Sequence, residues 1–345
     1  MANTPITFTE QDMLNAAKQY DPVLRKLPMI ALQDTLKYVT VMSGIQGDRV
    51  LGQLKAKGSW ATYRHNDDQY NVIDIDARTV TTRLLSLELQ FDPNLVAGKL
   101  YNQRPNNGDA LANLPFVAQV LAQAILESSE EVNQAIFGAA YNATGKTPLT
   151  SFDGWDTIAA AEESTGLTTA KGNFLDLSQY NLNEDNTFDA INYAWQMCDE
   201  KLKQSTETVF CYCSPNVQAY YNHGYLQKVG NVVYNTQYQQ TEVLGSNGRC
   251  VLVPIISKAG SNYLQFTTKS NMIFGCSDAN DINSLTVKVP GLYDVLAGGT
   301  MWLGTQYEFL DKSKLLVVKH KGVSAPTNPL AAGVNIPSTT SDGQD

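Results

Sequence analysis

One long helix constrains the fold of this chain more than any other feature of the sequence. Between Asn113 and Tyr141, apolar residues recur every three or four positions, which places them on one stripe of a helix with 3.6 residues per turn. Asn113 can cap the first turn, and Pro115 is tolerated there because that turn has no intrahelical donors to lose. At 1.5 Å per residue such a helix is about 42 Å long, whereas most helices have about three turns. A helix of this length with one apolar stripe is expected to lie across a sheet or another helix.

Composition indicates a globular protein with no overall attraction for two classes of partner, although a local basic patch is still possible. The chain has 345 residues, 43% hydrophobic and 17% charged, and a net charge of -9. A chain this acidic has no overall attraction for nucleic acid or an anionic membrane. The N-terminal sequence predicts no signal peptide, and no apolar run is long enough to span a bilayer. The five cysteines are therefore expected to stay reduced.

The segments before the helix cannot form a core by themselves. Residues 1–50 hold two short apolar segments separated by Pro22 and Pro28, which predicts an arm that lies on another structure. Residues 51–93 alternate apolar and polar side chains with a period of two, which predicts a long two-stranded β-ribbon with one apolar face. A two-stranded ribbon is marginally stable in water, so this face needs a partner.

Shorter elements follow the helix. Asp153 and Gly154 predict a turn before a short helix, residues 163–183 read as a loop, and residues 186–204 predict one helix. Short strands are predicted at 208–213, 250–256, 263–267, 272–274, 285–289, 301–309 and 314–318. Residues 321–345 predict a low-complexity tail outside the core.

No motif indicates catalysis. Residues 140–147 (AYNATGKT) fit a loose phosphate-loop pattern, but that loop needs a strand before it and a helix after it, and here a helix precedes. Cys211 and Cys213 share one face of a predicted strand, yet no further cysteine or histidine has the spacing of a zinc site. Buried thiols acting as small hydrophobic groups are the favoured interpretation. The sequence therefore predicts no catalytic, cofactor-binding or metal-binding residue.

The order of the segments resembles a known family more than any single motif does. The strings that carry the resemblance are LPFVAQVLAQAILESSEEVNQAIFGAAY, FDGWDTI, VFCYCSPNVQAYY and FTTKSNMIFGCSDANDINSLTV. Their order over residues 1–320 resembles the major capsid proteins of tailed phages, which have the Hong Kong 97-type fold. The shell proteins of phages that infect gut Bacteroidetes are the most similar group.

The resemblance implies an α+β fold with a defined division of the chain. It implies an N-terminal arm reaching over a neighbour (1–50), an extended β-ribbon loop (51–93), a peripheral domain with the long spine helix (94–185 and 282–320), an axial domain (186–281) and a C-terminal tail (321–345).

The same resemblance implies a structural role and no enzymatic activity. Hexamers and pentamers of the chain would form an icosahedral shell around double-stranded DNA, and the chain would contact this DNA non-specifically. The virion would be assembled in the host cytoplasm. Because the arm starts almost at once, a separate scaffolding protein is expected, together with a portal protein and, in some relatives, decoration proteins. Two alternatives remain open: an encapsulin-type compartment shell of the same fold, and an α/β enzyme with an unrecognised pocket.

The apolar face of the ribbon is the predicted contact between subunits. Its residues are Ile73, Ile75, Leu85, Leu87, Leu89 and Phe91. If this face meets the next subunit, Leu87→Asp should give folded, soluble subunits that do not form shells. The tail beyond Gly322 is predicted to be dispensable for folding.

Overall fold

Two five-stranded sheets and a two-stranded ribbon form the framework of the chain. The computed structural model describes residues 20–56, 73–91, 116–229, 241–280, 282, 284–288 and 295–325. The helices are α1 (Leu27–Leu36), α2 (Phe116–Ala135), α3 (Trp155–Glu162), α4 (Thr187–Met197), α5 (Glu200–Lys203) and α6 (Pro215–Val229). The strands are β1 (Thr40–Met42), β2 (Asp48–Ala56), β3 (Ile73–Thr81), β4 (Arg83–Phe91), β5 (Phe174–Leu182), β6 (Val209–Cys213), β7 (Cys250–Pro254), β8 (Tyr263–Thr268), β9 (Met272–Cys276), β10 (Ser284–Lys288), β11 (Val295–Tyr307) and β12 (Leu315–Val323). The predicted α+β class is confirmed.

The long helix is present but ends earlier than the sequence predicted. Helix α2 ends at Ala135, so its 20 residues span about 30 Å. One more helical bond joins the amide of Ala139 to the carbonyl of Ala135 at 2.8 Å. The carbonyls that follow bond to a later segment: that of Phe137 accepts from the amide of Asp156 at 2.9 Å, and that of Ala139 accepts from the amide of Gly154 at 2.7 Å and from the hydroxyl of Thr157 at 2.6 Å. Residues 113–115, the predicted start, lie outside the described residues. Tertiary bonds at its C-terminal end therefore terminate the helix.

Sheet 1 is built around β11, which has 13 residues. One edge of β11 pairs with β9 and β10, both antiparallel, and its other edge pairs with β4. Strand β1 extends the sheet by pairing parallel to β9. Helices α1 and α2 cover one face of β4, β10 and β11, where the buried residues are Leu24, Leu27, Leu121, Ala122, Ile125 and Ala297. This packing buries the apolar stripe of the long helix.

Strand β4 does not belong to the ribbon, contrary to the prediction. The ribbon consists of β2 and β3, which pair antiparallel from Asp48 with Thr81 to Ala56 with Ile73. Strand β4 instead pairs with β11 along nine residues, from Arg83 with Leu303 to Phe91 with Val295. The period-two pattern correctly predicted one apolar and one polar face, but it carries no information about which strand lies alongside.

Sheet 2 has the strand order β5-β12-β8-β6-β7. Helices α4 and α6 cover one face through a cluster that includes Leu175, Ile191 and Tyr221, and the other face meets sheet 1 through Tyr212, Val253 and Val317. The predicted loop at 163–183 is wrong, because β5 pairs parallel to β12 within it. A strand with three consecutive exposed residues near its end is stabilised by that neighbour, which sequence periodicity does not reveal.

Two helical predictions also change. The predicted helix at 186–204 is interrupted at Cys198, and Asp199 caps the short helix α5 by accepting from the amide of Lys201 at 2.9 Å. Helix α6 was not predicted, although Val217 and Tyr221 have the required spacing, because tyrosine and asparagine dominate the segment.

The described part of the predicted arm packs on its own chain. Leu24, Met29 and Leu32 are buried, and Tyr212 of sheet 2 donates its hydroxyl to the carbonyl of Tyr38 at 2.6 Å. Residues 1–19 lie outside the described residues. The prediction of an arm that reaches over a neighbour therefore stays a prediction for residues 1–19 alone. At the other end, β12 reaches Val323, so residues 321–323 belong to sheet 2 and not to the tail. The remaining tail, 326–345, lies outside the described residues.

Within sheet 2, His320 is a buried histidine that should make the protein sensitive to acid. It is 1% exposed, and burial lowers its pKa from 6.5 to about 4, opposed by a hydrogen bond to the carbonyl of Gly322. The unfolded chain takes up a proton near pH 6.5, whereas the folded chain does so only near pH 4. Stability from this residue is therefore complete above pH 6.5 and falls by up to roughly 3 kcal/mol as the pH drops to 4.

The variant His320→Gln isolates this effect. Urea unfolding of the wild type and of His320→Gln at pH 7 and pH 4.5 should show a smaller acid-induced loss in the variant, since glutamine does not titrate. The acidic residues contribute equally to both proteins. An identical loss in both proteins would contradict the assignment.

Candidate assembly site: the ribbon and its attachment

Strand β3 continues directly into sheet 1, so the ribbon extends from the body of the subunit. Only Thr82 separates β3 from β4. Thr82 is buried, its hydroxyl accepts from the amide of Gly47 at 2.8 Å, and the same hydroxyl donates to the carbonyl of Gly47 at 2.9 Å. Gly47 has a φ of 97°, a backbone conformation that favours glycine. These bonds close the base of the ribbon at the point where it leaves the sheet.

Apolar packing holds the same end of the ribbon. Leu51 of β2 and Val80 of β3 are buried against Ile45 and Ile273. Val50, on the other face of β2, is 63% exposed. The described contacts with the body come from residues 47–51 and 77–82, at one end of each strand.

A close backbone approach locks β3 to β11 at the base. A Cβ added at Gly304 would lie 2.2 Å from the carbonyl oxygen of Thr81 and 2.9 Å from the Cα of Thr82. Both obstructing groups are backbone, so no side-chain rotation can relieve the clash. Gly304 is therefore required for the ribbon to leave the sheet at its present position.

We expect Gly304→Val to displace the base of the ribbon and destabilise the subunit by about 1–3 kcal/mol, the usual cost of overpacking. Circular dichroism melting measures this loss. Gly298→Val is the matched control on the same strand, because its nearest neighbour is at 3.6 Å. Equal melting temperatures for the two variants would show that the approach at Gly304 is not tight in solution.

The six predicted interface residues lie in two different places. The side chains of Leu85, Leu87 and Leu89 pack towards α1 and α2 of their own chain, with Leu85 only 8% exposed. Helices of the same subunit therefore cover the leucine face. Ile73 and Ile75 lie on the ribbon, opposite Ala56 and Leu54, and Phe91 lies opposite Val295. The side chains of these three residues lie outside the described part of the chain.

A buried ion pair, which sequence reasoning missed, joins the helix after the spine to sheet 2. Lys258 is 1% exposed, and its Nζ lies 2.7 Å from Oδ1 of Asp156 and 2.7 Å from Oε1 of Gln265. Ser261 donates to Oδ2 of Asp156 at 2.6 Å, and the ammonium also faces the ring of Phe137 at 5.0 Å. Burial lowers the pKa of Lys258, whereas Asp156 raises it. The isolated acidic and basic residues carry no spacing signal, because they are 102 positions apart.

The cysteines considered as possible metal ligands lie in the interior of the protein. All five cysteines are buried and free. Burial raises the pKa of Cys198 to about 12 and of Cys276 to about 11, and it raises those of Cys211 and Cys250 well above the usual value. These four thiols are therefore protonated at neutral pH. In the part of the chain that the structure describes, no group of three or more histidine, cysteine or acidic residues could hold a metal ion.

The loop with the phosphate-loop pattern lies in a different context from a nucleotide site. It follows α2, and a short 3-10 helix, Pro148–Thr150, comes after it. The amides of Ala140 and Asn142 bond to the carbonyls of Leu149 and Thr150, at 2.8 and 2.9 Å. Because the loop folds back on itself in this way, those two amides are not directed at a ligand. None of the described helices combines the length and apolar character needed to cross a membrane.

Comparison with known proteins identifies the fold. No protein-family model and no curated protein matches the sequence. A chain in the structure described as "Satellite phage P4 procapsid including size determination (Sid) protein" is similar, with 10% sequence identity, a TM-score of 0.53 and 92% of each chain covered. The chain has a phage capsid fold.

Other solved structures are similar to this phage capsid fold. The capsid of a native GTA particle has 12% identity and a TM-score of 0.49, covering 84% of this chain and 90% of the other. The holo-SrpI encapsulin complex from Synechococcus elongatus has 8% identity and a TM-score of 0.46, covering 85% and 89%. At sequence identities of 8–12%, the similarity shows a shared fold and no more. The predicted domain boundaries stay a prediction, although β5 and β12 join the sheet of the predicted axial domain.

Proposed function

We propose that this chain is the major capsid protein of a tailed phage. Copies of it would assemble into hexamers and pentamers that form an icosahedral shell around double-stranded DNA. The protein acts as a structural component of the virion and performs no catalysis. The observation that carries the proposal is the match to the P4 procapsid structure over 92% of both chains, since it extends over the whole fold and not one domain.

The marginal stability of an isolated two-stranded ribbon supports the proposal. The described contacts between the ribbon and its own body lie at one end of the ribbon, and a two-stranded ribbon is marginal in water without a partner. We propose that the neighbouring subunit supplies this partner. Ile73 and Ile75 lie on the part of β3 that leads away from the base, so they remain in the proposed contact. We leave the leucines of β4 out of the proposed contact, because they pack towards helices of their own chain.

The proposal includes further partners. A separate scaffolding protein would guide assembly in the host cytoplasm, and a portal protein and decoration proteins would be further partners of the shell. The net charge of -9 supplies no overall attraction for DNA. We therefore expect the packaged DNA to touch the shell non-specifically, with counterions screening the repulsion.

The test is assembly of the purified protein. The chain is expressed alone and together with its scaffolding protein, and the products are separated by size and imaged by negative-stain microscopy. Closed shells support the proposal, and particles that enclose an enzyme instead of nucleic acid would support the compartment alternative. A monomer under every condition, with a small-molecule ligand bound in a pocket, would contradict both shell functions.

A further inference from the structure

Arg78 connects the ribbon to two separate parts of the subunit body. It lies on β3, and its Nε donates to the carbonyl of Tyr307 at 3.1 Å. Its Nη2 donates to Oε1 of Gln306 at 2.9 Å and forms an ion pair with Oε1 of Glu162 at 2.9 Å. One guanidinium thus joins the ribbon to β11 and to the end of α3. Three directed bonds from a planar group restrict its orientation in a way that a single ion pair does not.

Both anchors of Arg78 are held firmly. Tyr307 is fully buried and donates its hydroxyl to the carbonyl of Trp155 at 3.1 Å, and Trp155 donates its indole N–H to the carbonyl of Gln306 at 3.1 Å. Glu162 ends the helix that begins with Trp155. Helix α3 and strand β11 therefore form one rigid unit to which Arg78 is attached.

A second bond from this unit returns to the ribbon. Gln306 donates its Nε2 to the carbonyl of Thr79 at 2.9 Å. Arg78 and Glu162 are 17% and 26% exposed and border a polar cleft of about 760 Å³. The pair is shielded enough to hold the ribbon and still close enough to solvent to open without unfolding the core.

We infer that Arg78 and Glu162 form a latch that sets the angle at which the ribbon leaves the subunit, and that this angle sets the curvature of the shell. The part of this inference that concerns shell curvature rests on the proposed function. Arg78 acts here as a positioning residue, because it holds the ribbon in the orientation in which it meets the next subunit. The latch gives a reason for a charged side chain at the base of the ribbon, where an apolar residue would satisfy packing alone.

Hydrogen exchange of the isolated subunit tests the latch. In Arg78→Ala we expect the amides of residues 77–81 to exchange about tenfold faster or more, since loss of a charge-assisted hydrogen bond changes an equilibrium by roughly this factor. The amides of β6 and β8 should keep their protection. Glu162→Gln should give a smaller change, because Arg78 keeps its bonds to Tyr307 and Gln306. Arg49→Ala is the matched control, an exposed arginine on the partner strand of the same ribbon.

The diameter of assembled particles tests the consequence for the shell. Wild type and Arg49→Ala should form shells of one diameter, whereas Arg78→Ala should form shells of mixed diameter. Unchanged exchange at 77–81, or equal loss of protection throughout the subunit, would overturn the latch. If Arg78→Ala fails to fold, Glu162→Gln replaces it in the test, with the smaller increase in exchange at 77–81 as the expected result. Uniform shells from a variant with an open latch would overturn the link to curvature. If the wild type forms no shells, the proposed function fails while the exchange result still decides the latch.

Discussion

Lys258→Met should destabilise the subunit by about 3–5 kcal/mol, a range measured when one partner of a buried ion pair is removed. The variant leaves the carboxylate of Asp156 in an interior where its side chain is 9% exposed. Ser261 and Gln265 still donate to that carboxylate, but neither supplies a positive charge. A loss of this size is a large share of the roughly 5–15 kcal/mol that stabilises a typical domain.

Two further variants show that the effect comes from an unpaired buried charge. Lys258→Met combined with Asp156→Leu should recover most of the loss, since replacing both partners by apolar groups is often neutral. Lys319→Met is the matched control. It breaks an ion pair to Glu163 of 2.8 Å, in which the lysine side chain is 32% exposed, and should cost less than about 1 kcal/mol.

Urea unfolding of the three variants against wild type decides the question. Equal losses for Lys258→Met and Lys319→Met would mean that water reaches Lys258. A double variant that is no more stable than Lys258→Met would mean that the lysine stem, and not its charge, supports the joint between α3 and sheet 2.

Leu87→Asp should unfold or aggregate the subunit, which reverses the expectation from the sequence. Leu87 packs with the cluster formed by Leu27, Leu121 and Ile125, between β4 and the long helix. Leu87 is partly buried, so a carboxylate there would lose part of its hydration and face an apolar helix surface, at a cost of roughly 3 kcal/mol. The register places Gly299 opposite Leu87, so no neighbouring side chain on β11 can pair with the charge.

Ser86→Asp is the matched control for Leu87→Asp. Ser86 is exposed on the opposite face of the same strand, so its substitution should change stability by no more than about 0.5 kcal/mol. Far-ultraviolet circular dichroism and thermal melting of both variants measure the contrast. Leu87→Asp that melts like wild type but forms no shells would restore the original interpretation of β4 as a contact between subunits.

The contrast between these two predictions shows how far the sequence alone could go. Alternation of apolar and polar residues correctly assigned Leu85, Leu87 and Leu89 to one apolar face. The sequence did not show that a helix of the same chain covers this face, because alternation describes a strand and not its neighbour. Lys258 and Asp156 are more remote from any sequence signal, since nothing at either position marks the other as its partner.

Local chemistry by itself determined the elements whose residues repeat with a clear period. The stripe of α2, the ribbon strand β3 and the apolar run of β6 were all predicted at close to their observed positions. The likeness in the order of these elements also indicated the α+β capsid fold. A chain that buries an amphipathic helix or strand must place its apolar face inward, so these features follow from composition and spacing.

Only the tertiary structure decided which elements lie side by side and where several of them end. The long helix ends at Ala135, beyond which the carbonyls of Phe137 and Ala139 bond to a later segment, and β5 is a strand because β12 pairs with it. The latch at Arg78 likewise depends on residues more than 80 positions away. Hydrogen bonds and ion pairs between distant segments depend on the folded arrangement, and this arrangement is cooperative, so no local pattern of residues records it.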